Sequence, residues 1–124
     1  MATATTNTAR VEQGEADGVR LVRLNGSLSQ KGVADVSQSF VAAVRGDGSG
    51  GHVVVDLGGV DVIATTGITL LLVADRELKR TGGKMVLAGT RGLVRDVLMR
   101  CRLDKVLTLA PSVEEAVRAA RPGA

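Results

Sequence analysis

A run of three valines at positions 53–55, followed by a glycine pair and an uncharged apolar stretch, most constrains the fold of this chain. A continuous apolar run, unlike an alternating one, predicts a central strand over residues 52–57, covered on at least one face and flanked by parallel neighbours. The glycine pair, Gly58 and Gly59, predicts a short turn. The apolar stretch predicts a helix over residues 66–81, with the hydroxyls of Thr65 and Thr66 at its N-terminus, where Thr65 is a candidate N-cap.

The rest of the chain alternates strand-like and helix-like segments. Residues 10–15 and 19–25 flank a turn signal and predict an antiparallel hairpin, and residues 26–31 then read as a loop. Residues 32–45 carry valines and a phenylalanine at helical spacing and predict a first helix. The later predicted elements are a glycine-rich loop at 46–51, a strand at 85–88, a helix at 92–102, a last strand between 103 and 109, and a final helix with a capping pattern of Ser112 and Glu115.

This order of elements, β-β-α-β-α-β-α-β-α, is typical of an α/β domain. It predicts a mixed sheet of about five strands, with helices packed mainly on one face because right-handed crossovers place them over the sheet. A chain of 124 residues is the size of one such domain. We expect the domain to span residues 8–120, with a disordered tail at 1–7 and a flexible tail at 121–124.

The helix predicted at 66–81 has an apolar arc that is wider than one core contact requires. We expect its inward stripe to consist of Ile68, Leu71, Leu72 and Leu78. Leu70 and Val73 lie outside this stripe, so we expect them to be partly exposed beside Thr66 and Thr69. An apolar strip next to hydroxyls is typical of a protein-docking surface. The alternative is that neighbouring helices cover the strip.

The charge pattern argues against nucleic acid as a partner. Net charge is +3 and the pI is about 9.6, but the 16 basic residues are scattered among 13 acidic ones. Phe40 is the only aromatic residue, so the chain has no platform on which bases can stack. No apolar run approaches the roughly 20 residues that span a bilayer, and residues 1–10 contain no apolar core typical of a secretory signal. We therefore expect a cytoplasmic protein without membrane insertion.

The residues that most often carry catalysis or bind metals are scarce. The chain has one cysteine and one histidine, which exclude an internal disulfide and a zinc site with several cysteines. We expect Cys101 to pack on a helix as a small hydrophobic residue, and His52, at a strand start, to bind no metal. No phosphate-binding loop motif follows Gly58 and Gly59. The sequence predicts neither an enzyme nor a cofactor.

A succession of features after the valine run carries a family resemblance. The strand ends at Asp56, and Asp61, an apolar pair, the tetrapeptide Ala64-Thr65-Thr66-Gly67 and an apolar helix follow. This succession resembles the STAS domain, the fold of bacterial anti-sigma factor antagonists, in which an Asp-Ser-Ser-Gly-like tetrapeptide precedes the helix. The resemblance covers roughly residues 8–120 and is densest between 53 and 117.

The resemblance implies a phosphorylation site and a partner. It makes Thr65 the expected phosphoacceptor, with Thr66 as the alternative. It implies that the unmodified protein binds an anti-sigma factor, a serine/threonine kinase-like ATPase, and that a serine/threonine phosphatase is a second partner. We expect a monomer or weak dimer. The expected partner-binding residues are Ser27, Ser29, Asp61, Ala64, Thr65, Thr66, Gly67, Thr69, Leu70 and Val73.

One alternative function follows from the same resemblance. A STAS subunit can act as a scaffold in a stressosome-like or lipid-transport complex without phosphate transfer. Ala64 favours this alternative, because the family's antagonists carry an acidic residue at that position.

Overall fold

One mixed sheet organises the part of the chain that the computed structural model describes, which is residues 9–16, 18–46, 51–90 and 92–120. β1 and β2 form an antiparallel hairpin, and the later neighbours pair in parallel, in chain order. The predicted fold class is confirmed. The tails predicted at 1–7 and 121–124 and most of the loop predicted at 46–51 lie outside the described residues. The strands are β1 (Arg10–Ala16), β2 (Val19–Leu28), β3 (His52–Ile63), β4 (Lys84–Ala88) and β5 (Thr108–Ala110).

Helices cover both faces of this sheet, unequally. They are α1 (Gln30–Arg45), α2 (Thr65–Lys79), α3 (Gly92–Arg100) and α4 (Val113–Ala120). Buried residues of α1, α2 and α3 belong to one apolar cluster, and those of α4 belong to a second cluster on the opposite face. The prediction that helices pack mainly on one face is therefore confirmed, with α4 as the exception.

The valine run forms the centre of the sheet, as predicted. β3 lies between β2 and β4 and is parallel to both. Val53 and Val55 contribute to the cluster beneath α1, α2 and α3, and Val54 to the cluster beneath α4. All three are completely buried. A strand covered on both faces has no polar side to alternate with, which explains the continuous apolar run.

The turn predicted at Gly58 and Gly59 is wrong, because β3 continues through both glycines to Ile63. Its pairing with β2 shifts in register twice along this stretch. A Cβ at position 59 would lie 2.0 Å from Oδ1 of Asn25 on β2. The glycine therefore permits a close approach inside an irregular strand, where the local sequence alone indicates a turn.

Two other predicted boundaries are wrong. The loop predicted at 26–31 is short, because β2 continues to Leu28 and α1 begins at Gln30. The last strand is only Thr108–Ala110, and Leu103–Lys105 forms a 3-10 turn. Leu103 and Leu107, four residues apart, are both buried. Lys105, midway between them, is exposed, whereas a strand would place all three residues on one face, so the pattern suits a helical turn.

Cys101 is exposed, so the expectation that it packs on a helix is wrong. Buried Val94 and Leu98 define the inner face of α3, but this helix ends at Arg100. The chain then turns away through Arg102, which has a left-handed backbone conformation with φ 58°. The cysteine therefore lies in a surface turn.

Serine hydroxyls cap the first turns of α1 and α4, whereas the first turn of α2 has no side-chain cap. Ser29 precedes α1, and its Oγ accepts a hydrogen bond from the N–H of Gly32 at 3.2 Å. Ser112 precedes α4 and accepts from the N–H of Glu115 at 3.2 Å, in line with the predicted capping pattern. Ala64 occupies the N-cap position of α2 and offers no side-chain acceptor. The predicted N-cap at Thr65 is wrong, because Thr65 is already the first helical residue.

Replacement of Ala64 by serine is expected to stabilise the fold by about 1 kcal/mol, because a hydroxyl at this extended N-cap position can accept an N–H of the first turn. Urea unfolding would measure the change. Ala34→Ser, at an exposed interior position of α1, is the matched control and is expected to cost about 0.5 kcal/mol. Equal effects at both positions would contradict the capping argument.

Close packing at Gly32 sets the position of α1 against the sheet. A Cβ at this buried glycine would lie 2.0 Å from the carbonyl oxygen of Ser27 and 3.3 Å from the Cβ of Ala9. The backbone of α1 therefore contacts the end of β2 with no side chain between them. Only glycine permits this approach without a shift of the helix.

Gly32→Ala is expected to destabilise the protein by about 3 kcal/mol, because backbone atoms must move to admit the methyl group. The control is Gly14→Ala on β1, where an added Cβ meets nothing within 4 Å; we expect a change within about 0.5 kcal/mol. Urea unfolding of both variants is the measurement. A stable Gly32→Ala variant would show that α1 can move away from β2 at little cost.

Candidate functional site

The two adjacent threonines lie on the surface where β3 passes into α2. The N–H of Ala64 donates to the carbonyl oxygen of Leu28 at 2.9 Å, which ties the end of β3 to the end of β2. α2 then begins at Thr65. The side chains of Thr65 and Thr66 are exposed. The predicted position of these hydroxyls at a helix N-terminus is confirmed.

The start of α2 keeps unused hydrogen-bonding capacity. Within the described residues, neither the N–H groups nor the side-chain hydroxyls of Thr65 and Thr66 have a protein partner. Thr69 differs, because its Oγ1 donates to the carbonyl oxygen of Thr65 at 3.1 Å. Free N–H groups and the helix dipole make this end of α2 electropositive. An anionic group on Thr65 or Thr66 would therefore be partly compensated.

The predicted residues on the neighbouring strands have mainly structural partners. Ser27 on β2 donates to Oδ1 of Asp61 on β3 at 2.8 Å, so these two form an exposed pair across the strands. Ser29 caps α1, as described above. Gly67 is buried, and a Cβ there would lie 2.8 Å from Cγ1 of Ile63 and 3.1 Å from the Cβ of Leu28. Gly67 therefore holds the first turn of α2 close to the ends of β2 and β3.

The expected exposure is wrong for Leu70 and right for Val73. Leu70 is only 5% exposed and belongs to the core, whereas Val73 is 44% exposed. α1 and α2 follow neighbouring parallel strands, begin at the same edge of the sheet and pack against each other. Leu70 lies beside residues of α1 where the two helices meet, and it is buried there. The alternative of coverage by neighbouring helices therefore holds for Leu70.

An open groove runs along the contact between the two helices, and we call it the α1–α2 groove. Its volume is about 760 Å³, and most of its lining surface is apolar. Thr66, Thr69, Leu70 and Val73, all predicted site residues, form the α2 wall. The α1 wall consists of Val33, Ser37, Gln38, Val41, Ala42 and Arg45.

Sequence reasoning missed the whole α1 wall of this groove. The available signal was a row at spacing four, Val33-Ser37-Val41-Arg45, beside the buried row of Val36, Phe40 and Val44. Residues four apart lie on one face of a helix, so this row predicts a second face that contacts something other than the sheet.

The described part of the chain offers neither a metal site nor a membrane-spanning helix. No group of three or more histidine, cysteine, aspartate or glutamate side chains there is placed to hold a metal ion. None of the described helices is long and apolar enough to cross a membrane.

Solved structures with the same fold include several anti-sigma factor antagonists. One from Mycobacterium paratuberculosis is 26% identical, with a TM-score of 0.79, over 96% of this chain and 99% of that chain. A STAS domain anti-sigma-factor antagonist from Planctomyces limnophilus is 21% identical, with a TM-score of 0.78, over 89% and 97% of the two chains. The Bacillus cell fate determinant SpoIIAA in its phosphorylated form is 20% identical, with a TM-score of 0.64, over 90% and 100%.

Sequence comparison identifies the family of this protein but no individual relative among curated proteins. The search among curated proteins gave no match. The family model of the STAS domain matches residues 10–116, which is most of the chain and includes every predicted site residue. The protein belongs to the STAS domain family.

Proposed function

We propose that this protein is an anti-sigma factor antagonist controlled by phosphorylation. It binds an anti-sigma factor that is a serine/threonine kinase-like ATPase, and this binding releases a sigma factor. Phosphorylation of Thr65, with Thr66 as the alternative acceptor, reverses the binding. The observation that carries the proposal is a pair of exposed hydroxyls at the uncapped start of α2 in a STAS domain, neither of which bonds to any described residue.

Accessibility supports the threonine pair as the substrate of a kinase. A kinase must reach the acceptor hydroxyl and align it with the phosphate of ATP. Thr65 and Thr66 are exposed and free to rotate into that position, whereas the hydroxyl of Thr69 is held by the carbonyl oxygen of Thr65. Among the related folds, SpoIIAA has been solved in a phosphorylated form.

The energetics of a phosphate at this position favour a switch. Phosphorylation adds about 1.5 to 2 negative charges, and the N-terminus of a helix compensates about 0.3 to 1 kcal/mol of the cost. An apolar interface that lacks a paired arginine would have to desolvate the remaining charge. A penalty of about 3 kcal/mol weakens binding more than a hundredfold. The unmodified form would then bind and the phosphorylated form would not.

The second candidate function is a scaffold subunit that holds its partner without phosphate transfer. Ala64 favours it, because the residue directly before the threonines brings no carboxylate to the site. The preceding acidic residue, Asp61, already accepts a hydrogen bond from Ser27. A scaffold would bind its partner equally well with and without ATP.

Incubation with an anti-sigma factor kinase of the native host, together with ATP, is expected to add one phosphate at Thr65. Peptide mass spectrometry would locate it. Thr65→Ala is expected to remove the label and Thr66→Ala to retain it; the reverse pattern would assign Thr66. Label at neither threonine, with the kinase bound throughout, would favour the scaffold.

Thr65→Glu is expected to weaken binding of the same kinase by about a hundredfold, and Thr65→Ala to bind as the unmodified protein does, because only the glutamate introduces charge into the interface. Isothermal titration calorimetry would give the dissociation constants. Thr108→Glu, at an exposed threonine of β5, is the matched control and is expected to bind normally. Full affinity of Thr65→Glu would contradict the switch.

A further inference from the structure

We propose that the α1–α2 groove receives an amphipathic helix of the partner protein, oriented by an acidic side chain that pairs with Arg45. This inference rests on the proposed function, because it concerns the same partner. It extends the binding surface from the threonine turn to α1 and states the chemistry of the segment that binds there.

The shape of the groove favours an elongated occupant. Its α1 wall runs from Val33 to Arg45, twelve residues later, which corresponds to about 18 Å of helix. The opposite wall runs from Thr66 to Val73 on α2. The α2 wall is shorter, about 10 Å, so both walls flank about two turns of a third helix, and a further turn would lie along α1 alone. The side-chain ridge of that helix would fit between those of α1 and α2.

Backbone hydrogen bonding favours a helix over a strand. Both walls are helices whose interior N–H and C=O groups bond within the helix, so they offer no row of backbone partners. A strand in the groove would leave its own backbone groups without protein partners against an apolar surface, and such groups are costly to bury. A helix satisfies its backbone internally and presents only side chains.

The groove has two chemically different ends. α1 and α2 begin at the same edge of the sheet, so Thr66 and Val33 lie toward one end, and Val73 and Arg45 toward the other. Val33 and Val41, which are half-buried, and the exposed Val73 supply most of its accessible apolar surface, and the buried Leu70 lies beneath them. The partner helix is therefore expected to carry apolar residues at spacing three or four, facing this surface.

The charge of Arg45 defines where the partner helix is expected to carry its acidic residue. Arg45 is exposed and has no ion pair or side-chain hydrogen bond within the described residues. The nearest acidic residue along this wall of the groove is Glu77, one turn beyond Val73 on α2. Glu77 does not neutralise Arg45, because it pairs with Arg80 at 3.3 Å. Arg45 is thus available at the end of an apolar groove. A carboxylate on the partner helix would pair with it and fix the register of the helix.

The test uses as its probe the anti-sigma factor kinase of the native host that binds the unmodified protein. Arg45→Glu and Val73→Asp are each expected to weaken its binding by about tenfold or more. Arg118→Glu on α4 makes the same charge change on the opposite face, and Val106→Asp makes the same polar change at another exposed valine. Both controls are expected to bind within about twofold of the unmodified protein. Circular dichroism would check that each variant is folded.

A photocrosslinker in place of Ser37, in the α1 wall, would identify the partner segment. We expect crosslinks to one face of a helix that carries an aspartate or glutamate. Replacement of that acidic residue by lysine is expected to restore binding to Arg45→Glu. Normal binding of both groove variants, or crosslinks only to a loop or strand, would overturn the helix proposal while leaving the switch at Thr65 intact. No binding by the unmodified protein would overturn the proposed function itself.

Discussion

The parallel pairing of β2 with β3 beyond the end of β4 is the constraint on which the surface of this protein depends. β4 pairs with β3 only as far as Asp56, whereas β2 accompanies β3 to Ile63. The hydrogen bond from Ala64 to Leu28 closes this two-stranded extension. Because α1 follows one of these strands and α2 the other, both helices start at the same edge. The exposed threonines and the α1–α2 groove are consequences of that common start.

Two glycines allow both helices to lie close to the ends of these strands. Gly32 brings the first turn of α1 against the carbonyl oxygen of Ser27, and Gly67 brings the first turn of α2 against Leu28 and Ile63. Neither position has room for an added side chain, so close packing at these glycines sets how near each helix lies to the ends of β2 and β3. The first turns of both helices, and with them the threonine turn, are therefore held against the sheet by close packing. A surface that is ordered in advance lowers the entropic cost of any binding that takes place there.

The sequence predicted the features that depend on local pattern. The valine run gave the central strand, and the alternation of elements gave the mixed sheet. The threonines were predicted at the start of α2 because they precede an apolar helix. Features decided by distant neighbours were missed. Gly58 and Gly59 resemble a turn in isolation, but pairing with β2 continues β3 through them, and the close approach of Asn25 leaves room only for glycine at position 59. The burial of Leu70 likewise depends on α1, so a stripe measured on α2 alone misassigned it.

The exposed turn after α3 has a practical consequence for work with this protein. Cys101 is the only cysteine of the chain, and it is accessible to reagents on the outside of the fold. A maleimide dye would therefore attach at one defined position without any engineered residue. The same accessibility allows two molecules to join through their thiols on storage in air. Purified samples need a reducing agent, since a covalent pair formed in this way would pass for a natural oligomer.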